Sequence, residues 1–331
     1  MKKLSIIIPY HNEDEEKITP MFSSLDAQFN VDWSRVEILI SNDHNSPKNM
    51  ADFFKLFPKV NQVLRYLQCP IHIGPGPNRQ YAIDNSSGEY IMFLDADDEL
   101  IRGDALNSIL NSVDSDDLYL SKILVETLES GGKELVVAEA NHRFMHGKII
   151  KREFLERNSI KFNPKLKIFD DSYYCALLYL HNPSLNETIP IFYKYKLNPD
   201  SISRCASNVN ILTYCAKDWL LSTLCVIEFL QDSANVDKYE PIKFYLGYIS
   251  NRYAGYKTYT GETRGVVDDQ IKYIVSSIDP TLKLALSMDI ATIGDTPYKE
   301  WLKNIVKNVD RKAIEKKYGF SPTTIKPYTM D

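Results

Sequence analysis

The segment YIMFLDADD, residues 90–98, joins an apolar run directly to three carboxylates. Its first five residues are typical of a central strand that is covered on both faces. Asp95, Asp97 and Asp98 follow at once, and like charges this close repel one another unless a cation, a proton or solvent relieves them. We therefore expect a buried strand that ends in an acidic turn, where a cation, a proton or solvent reduces the repulsion between the carboxylates.

Strand-like and helix-like segments alternate on the N-terminal side of this strand. The apolar periodicity predicts strand 4–9, helix 15–29, strand 36–41, helix 46–57, strand 63–67 and helix 78–86. Phe29 completes the apolar face of the first helix, and Ser46 and Pro47 begin the second as its cap and first residue. The alternation predicts an α/β, Rossmann-like domain with a mostly parallel central sheet.

The pattern changes on the C-terminal side. Residues 117–140 predict a hairpin that turns at Gly131-Gly132, followed by helices at 148–158 and 170–180 and a strand at 189–196. From about residue 209 the periodicity is helical alone, with helices predicted at 212–231, 239–253, 268–277 and 296–317. We therefore predict a first domain at residues 1–205 and a smaller all-helical C-terminal domain at 206–331.

Composition argues against a membrane-spanning or exported protein. The 331 residues are 44% hydrophobic with a formal net charge of −5, and no apolar run reaches the roughly 18 residues of a membrane span. Five cysteines, an odd number without a C-x-x-C pair, favour reduced thiols and a cytoplasmic location. Pro9, His11 and Glu13 interrupt the apolar N-terminus too early for an export signal.

Polar residues follow three of the predicted strands. The segments are PYHNE at 9–13, SNDHN at 41–45 and DADD at 95–98. In an open parallel sheet the carboxyl ends of the strands share one edge, where ligands bind. A lone Asp or Asn there is as often a simple cap, but three such segments in register predict a binding site.

Four segments together resemble glycosyltransferase family 2, whose inverting enzymes have the A-type nucleotide-sugar fold (GT-A). They are SIIIPYHNE, ILISNDHN, GPGPNRQYAIDNSSGEYIMFLDADD and FDDSYY, and the resemblance covers roughly residues 1–200. The chain has Asn42-Asp43-His44-Asn45 where the family often has Asp-Asp-Gly-Ser, and Asp170-Asp171 where it often has Glu-Asp. The main carboxylates are thus kept.

The resemblance implies a nucleotide-sugar donor, with UDP-sugar expected. Its nucleoside would contact Pro9, Asn12 and Asp43, with Asp43 accepting from a uracil N–H, and Arg79 would face the base or the phosphates. His146 and Ser203 are further candidate contacts. The complete set of implied donor contacts is Pro9, Tyr10, Asn12, Asp43, Arg79, Asp95, Ala96, Asp97, Lys148 and Arg204.

The acidic turn suits a divalent metal. Mn²⁺ and Mg²⁺ prefer carboxylate, phosphate and water oxygens, and a bound metal would neutralise the diphosphate as it leaves. The resemblance, through its DXD motif, implies Asp97 as the more direct ligand and Asp95 as a ribose or metal contact. Asp98 is a candidate third member, and its alternative is a solvated cap.

Catalysis requires a carboxylate near the acceptor, because the attacking hydroxyl must lose a proton. Asp171 matches the family's base position, with Asp170 as its supporting neighbour. Both residues begin a predicted helix, whose N-terminal field favours an ionised carboxylate. Helix capping is the competing interpretation of this pair.

Three hypotheses remain open for the function of the chain, and the first two differ in the acceptor. The first is an inverting transfer to a glycan or lipid-linked glycan, and the second is the same chemistry on a hydroxymethylated base of phage DNA, in the host cytoplasm. The third is a nucleotide-sugar binding protein without turnover. The 206–331 domain would serve acceptor binding or oligomerisation. Its basic stripe, Lys299, Lys303, Lys307 and Arg311, could contact anionic lipid at the membrane periphery, contact nucleic acid, or simply face solvent.

Overall fold

The computed structural model describes residues 2–70, 74–129, 132–140, 144–164, 166 and 169–198, with 265–266, 268–269, 272–273 and 310–318. The chain divides into two compact units, Met1–Asn198 and Pro199–Asp331. In the second unit the longest described element is the helix Arg311–Tyr318. The helices predicted at 212–231 and 239–253 lie outside the described residues, and those at 268–277 and 296–317 are described only in part.

The first unit alternates strands and helices. Its strands are β1 Leu4–Tyr10, β2 Val36–Asn42, β3 Leu64–Gln68, β4 Tyr90–Phe93, β5 Glu99–Leu100, β6 Leu118–Leu120, β7 Ile123–Glu129, β8 Gly132–Ala138, β9 Lys148–Lys151, β10 Leu185–Asn186 and β11 Tyr193–Tyr195. Its α-helices are α1 Glu15–Asp26, α2 Ala51–Lys55, α3 Pro58–Asn61, α4 Pro75–Asp84, α5 Ala105–Ser112, α6 Arg152–Arg157 and α7 Asp170–Leu180.

Seven strands form the central sheet, in the order β10-β6-β9-β4-β1-β2-β3. Strands β1 to β4 pair in parallel, whereas β9 runs antiparallel to both β4 and β6. Both faces of β1, β2 and β4 are covered, because nearly every residue in them is buried. The predicted α/β class with a mostly parallel central sheet is therefore confirmed.

The remaining strands form a second sheet, in the order β5-β11-β7-β8. Strands β7 and β8 make the predicted hairpin, with Glu129 opposite Gly132 beside the turn. The first half of the hairpin was predicted as one continuous strand, and this is wrong. Ser121 and Lys122 separate it into β6, which belongs to the central sheet, and β7, which belongs to the second sheet. The hydroxyl of Ser121 donates to the carbonyl oxygens of Lys122 and Pro190, which stabilises the break.

Two predicted helices near the N-terminus are too long. Helix α1 ends at Asp26, and Phe29 is 54% exposed outside it, where its backbone N–H donates to the Gly103 carbonyl. Helix α2 begins at Ala51 rather than near Ser46. Side chains take the place of helical hydrogen bonds there, since Asn49 Oδ1 accepts from the Ala51 N–H and His44 Nδ1 accepts from the Ser46 N–H.

Residues 148–151 form strand β9 instead of the start of a helix, and only Arg152–Arg157 is helical. A short segment with only two apolar residues, Ile149 and Ile150, fits either structure, and pairing with β4 and β6 decides between them. The predicted strand at 189–196 contracts to β11. Within the described residues, every helix is too short or too polar to cross a lipid bilayer.

Candidate active site

The polar ends of β1, β2 and β4 do meet at one edge of the central sheet. Pro9 lies opposite Ser41 and Ile7 lies opposite Phe93 in the strand pairing. Asn12, which follows β1, adopts a left-handed backbone with φ of 62°. Its side-chain oxygen accepts from Asn42 Nδ2 at 2.7 Å, so the ends of β1 and β2 are tied together.

Asp43 lies at the end of β2 with only 4% of its side chain exposed. One carboxylate oxygen contacts His11 Nδ1 at 2.7 Å, and the other accepts from the Gly74 N–H at 2.8 Å. The rings of His11 and His44 pack edge to face, with centroids 4.8 Å apart. His11 was not among the predicted donor contacts, although its position beside Asn12 could have suggested it.

Tyr10 and Ala96 were predicted donor contacts, but their side chains lie in the apolar core. The Tyr10 hydroxyl donates to the Glu13 carbonyl at 3.0 Å, and burial, with Glu13 nearby, raises the Tyr10 pKa well above its usual value. Because both side chains are buried in the core, we expect any contact of Tyr10 or Ala96 with a donor to involve main-chain atoms.

Asp95, the first carboxylate of the acidic turn, lies between the side chains of Arg79 and His146. Arg79 Nη2 donates to Asp95 Oδ1 at 2.8 Å, and His146 Nε2 lies 3.3 Å from Asp95 Oδ2. Burial works to raise the Asp95 pKa, but Arg79 and His146 outweigh burial and hold that pKa below its ordinary value. Asp95 is therefore ionised at neutral pH.

Asp98 has the opposite character, because its side chain is only 1% exposed. The Tyr193 hydroxyl donates to Asp98 Oδ2 at 2.5 Å, and the Lys196 N–H donates to Asp98 Oδ1 at 2.8 Å. Burial, with the charges of Asp95 and Asp97 nearby, raises the Asp98 pKa well above its ordinary value. The charge of Asp95 is thus balanced by Arg79, whereas burial disfavours the charged form of Asp98.

Asp95, Asp98 and His146 bring one ligand atom each within 4.8 Å of one another. Two carboxylates and an imidazole are ligands that suit Mn²⁺, and the carboxylates also suit Mg²⁺, so this group fits the predicted cofactor. Asp97 does not belong to it, and its Oδ2 accepts from Asn198 Nδ2 at 2.6 Å. Sequence reasoning treated His146 only as a substrate contact and missed this position beside the carboxylates.

Arg79 also reaches the predicted catalytic helix. Its Nη1 donates to Asp170 Oδ2 at 2.9 Å, and the Asp170 side chain is 7% exposed. The predicted role of Arg79 was contact with the base or phosphates, whereas the structure shows it joining Asp95 to Asp170. Gly76 allows α4 to approach α7, since a Cβ atom there would lie 2.7 Å from the Asp170 Cβ.

Asp171 is the second residue of α7 and is partly exposed. Its Oδ1 accepts from the Ser172 N–H at 2.7 Å. Burial and the neighbouring Asp170 raise the Asp171 pKa to about 7, although Arg79 opposes them. A carboxylate with this pKa can accept a proton near neutral pH.

Lys148, a predicted phosphate contact, is fully buried in β9. Its Nζ donates to the Phe144 carbonyl, and burial lowers its pKa. The structure therefore gives Lys148 an interior position rather than the exposed one that a phosphate contact was expected to have. Ser203 and Arg204 lie outside the described residues.

The sheet order, the acidic turn after β4 and the aspartate pair at the start of α7 together define the A-type nucleotide-sugar fold. Residues 5–179 match the profile "Glycosyl transferase family 2". The match covers more than half of the sequence, and the chain belongs to this family.

Related proteins support the same assignment. The chain is 26% identical over 193 residues to the poly(ribitol-phosphate) β-N-acetylglucosaminyltransferase TarS of Staphylococcus aureus, covering 55% of this chain and 33% of that protein. It is 30% identical over 110 residues to a GalNAc(5)-diNAcBac-PP-undecaprenol β-1,3-glucosyltransferase of Campylobacter jejuni, covering 33% of this chain and 34% of that protein. The chain thus spans about a third of the length of these relatives.

Two solved structures share the fold. S. aureus TarS 1–349 in complex with UDP-GlcNAc gives a TM-score of 0.68 at 17% identity, covering 96% of this chain and 91% of that one. The mannosyltransferase PcManGT of Pyrobaculum calidifontis, in complex with GDP-Man and Mn²⁺, gives a TM-score of 0.53 at 13% identity. This match covers 96% of this chain and 86% of that one.

Proposed function

We propose that the chain transfers a sugar from a UDP-sugar to an acceptor hydroxyl, with inversion at the anomeric carbon. The observation that carries the proposal is the position of Asp171. Its carboxyl, with a pKa of about 7, lies next to Asp170, which Arg79 joins to the acidic turn. The relative bound to UDP-GlcNAc supports UDP as the nucleotide.

The donor would bind along the polar edge of the sheet. Pro9, Asn12 and Asp43 would hold the nucleoside, with His11 and the Gly74 N–H fixing the Asp43 carboxylate at 2.7 and 2.8 Å. A carboxylate fixed in this way discriminates among bases, because its lone pairs point in set directions. His11 therefore joins the proposed donor site as a residue that orients Asp43.

We propose Mn²⁺ or Mg²⁺ as cofactor, held by Asp95 with Asp98 and His146, which the fold brings together, and with Asp97 from the same turn. When bound, the cation would neutralise the diphosphate and so favour its departure as leaving group. The contact of Asp97 with Asn198 holds the second carboxylate at the turn. The Mn²⁺-bound mannosyltransferase of the same fold supports this choice of metal.

The chemical step is an in-line displacement. A bond forms between the acceptor oxygen and the anomeric carbon as the bond from that carbon to the diphosphate oxygen breaks. The acceptor proton passes to the carboxylate of Asp171, and the electron pair of the broken bond leaves with the diphosphate. Asp170 and Arg79 keep the base in place, since Arg79 anchors the first turn of α7 to the acidic turn.

We place the acceptor among cell-envelope glycans and polyol-phosphate polymers. Relatives named for poly(ribitol-phosphate) include TarS and TarP of S. aureus and a glucosyltransferase of Bacillus spizizenii, and the C. jejuni relative is named for an undecaprenol-linked glycan. The DNA hypothesis has less support, because none of these relatives is named for a nucleic acid. The second unit would bind the acceptor, with Lys312, Lys316 and Lys317 exposed on its described helix.

The test is transfer by the full chain from radiolabelled UDP-GlcNAc, with Mn²⁺, to poly(ribitol-phosphate) or to duplex DNA carrying hydroxymethylated bases. We expect UDP release that depends on the polymer, with label appearing in it, and loss of both when EDTA removes the metal. UDP-Glc and UDP-GalNAc are tested in the same assay as alternative donors, to identify the sugar that is transferred. Donor binding without release of UDP in the presence of any acceptor would contradict the proposal and support a binding protein.

A further inference from the structure

Strand β8 is the outermost strand of the second sheet, and within the described residues it pairs only with β7. An edge strand presents a row of backbone N–H and C=O groups to whatever lies beside it. Proteins usually protect such an edge with charges, proline, a bulge or a short strand. β8 has seven residues and no proline.

The centre of β8 is also apolar on both of its faces. Leu135, Val136 and Val137 are 54%, 46% and 53% exposed. Because side chains alternate along a strand, Leu135 and Val137 lie on one face and Val136 on the other. Leu128 of β7, opposite Lys133 in the pairing, is 70% exposed and extends the apolar surface of the first face. We call the exposed edge of β8, from Lys133 to Glu139, the β8 edge.

We propose that the β8 edge pairs in antiparallel fashion with the β8 edge of a second copy of this chain, about a two-fold axis at Val136. In this register Val136 meets its own counterpart, Leu135 meets Val137, and Lys133 meets Glu139. The two second sheets then continue into one another. The apolar side chains that are half exposed in one chain then pack beside the same residues of the other and are partly covered by them.

Charge complementarity selects this register. Lys133 and Glu139 lie at opposite ends of the β8 edge, and only an axis at Val136 places each opposite the other, so that each opposite-charge pair occurs twice. Like charges directly opposite one another would be destabilising. In the same register Glu134 meets Ala138, so no acidic residue faces another across the axis.

The charges within each hairpin extend this arrangement. Lys133 lies 3.4 Å from Glu126, and Glu139 lies 2.7 Å from Lys122. Pairing of two copies would therefore align Lys122, Glu139, the second copy's Lys133 and its Glu126 as a row of alternating charge. Lys133 and Glu139 keep 61% and 75% of their side chains exposed in one chain, so they are accessible to a second copy.

The proposed interface is small, so we expect weak association. Pairing of two seven-residue strands covers less surface than the roughly 1,200 Å² of a stable protein complex. The dimer should therefore be weak and concentration-dependent, with sedimentation velocity showing a monomer at low micromolar concentration and a dimer at high concentration.

Cysteine crosslinking tests the register in the full chain. Antiparallel partners have Cα atoms about 4.5–5.5 Å apart, within the span of a disulfide, so the Val136→Cys chain should form a disulfide-linked dimer under mild oxidation. Glu134→Cys is the matched control, because two such cysteines would lie roughly 14 Å apart along the strands. The wild-type chain measures background from native cysteines, of which Cys69 and Cys175 are buried.

Charge reversal tests the two ion pairs independently. Lys133→Glu and Glu139→Lys should each weaken dimerisation roughly tenfold, and the double variant should recover most of it. Circular dichroism and thermal melting check that each variant is folded. The proposal is overturned by a chain that stays monomeric, by equal crosslinking of V136C and E134C, or by dimerisation insensitive to both reversals. Protection of β8 amides from exchange in the monomer, which would show that residues of the same chain cover the edge, also overturns it.

Discussion

Replacement of Asp171 by Asn is expected to lower turnover by roughly 10²- to 10⁴-fold, the usual contribution of a general base, while donor binding persists. Asn keeps the size of the side chain and its hydrogen bond from the Ser172 N–H but cannot accept a proton at neutral pH. The measurement pairs single-turnover transfer with calorimetric titration of UDP. Asp104→Asn, which alters a surface carboxylate paired with Arg102, is the matched control and should leave both values unchanged.

The pH dependence gives a second readout of the same residue. Since burial and Asp170 raise the Asp171 pKa to about 7, the base is ionised above that pH and protonated below it. We therefore expect kcat/KM to fall as the pH decreases through about 7 and to level off above it. Asp170→Asn removes a charge that raises this pKa, so it should move the acid limb to lower pH. Full turnover by D171N, or an acid limb that stays in place in D170N, would contradict the assignment.

Replacement of Arg79 by Met should cause the largest loss of stability among changes at this site. Arg79 joins Asp95 and Asp170 at 2.8 and 2.9 Å, and its own side chain is only 10% exposed. Met fills much of the same volume but leaves two carboxylates without their cationic partner. Removing one partner of a buried ion pair typically costs about 3–5 kcal/mol.

The measurement is the urea midpoint of the full chain, followed by fluorescence. Arg102→Met is the matched control, because its pair with Asp104 is at the surface, and exposed pairs contribute at most about 1 kcal/mol. Arg79→Lys should fall between the two, since Lys retains the charge but cannot bridge both carboxylates with one planar group. Equal midpoints for R79M and R102M would show that the bridge contributes nothing.

The parallel sheet and the position of its polar edge could be predicted from the sequence because both depend on local patterns. Fully apolar runs separated by amphipathic segments predicted β1, β2 and β4 within a residue or two. Asp43 and Asp95 follow strands of one parallel sheet, and topology alone brings such residues to the same edge. The start of α7 at Asp170 was likewise evident from its sequence.

The partners of the acidic turn could not be predicted, because they come from distant segments without a local signal. Tyr193 contacts Asp98 across 95 positions of the chain, and Asn198 contacts Asp97 across 101. The bridge of Arg79 from Asp95 to Asp170 depends on how α4 packs against α7. Strand β9 was mistaken for the start of a helix, since a four-residue segment with two central isoleucines fits both structures until its neighbours in the sheet are known.

The central claim is that a cation on the acidic turn holds the donor diphosphate. The most direct test measures the affinity of the chain for UDP with and without Mn²⁺. Calorimetric titration of the wild-type chain should show UDP affinity at least about tenfold weaker, or 1.4 kcal/mol, when EDTA replaces Mn²⁺. Asp97→Asn should show the same loss with Mn²⁺ present, whereas D171N should bind like the wild type. Equal UDP affinity with and without Mn²⁺, or full affinity in D97N, would contradict the account.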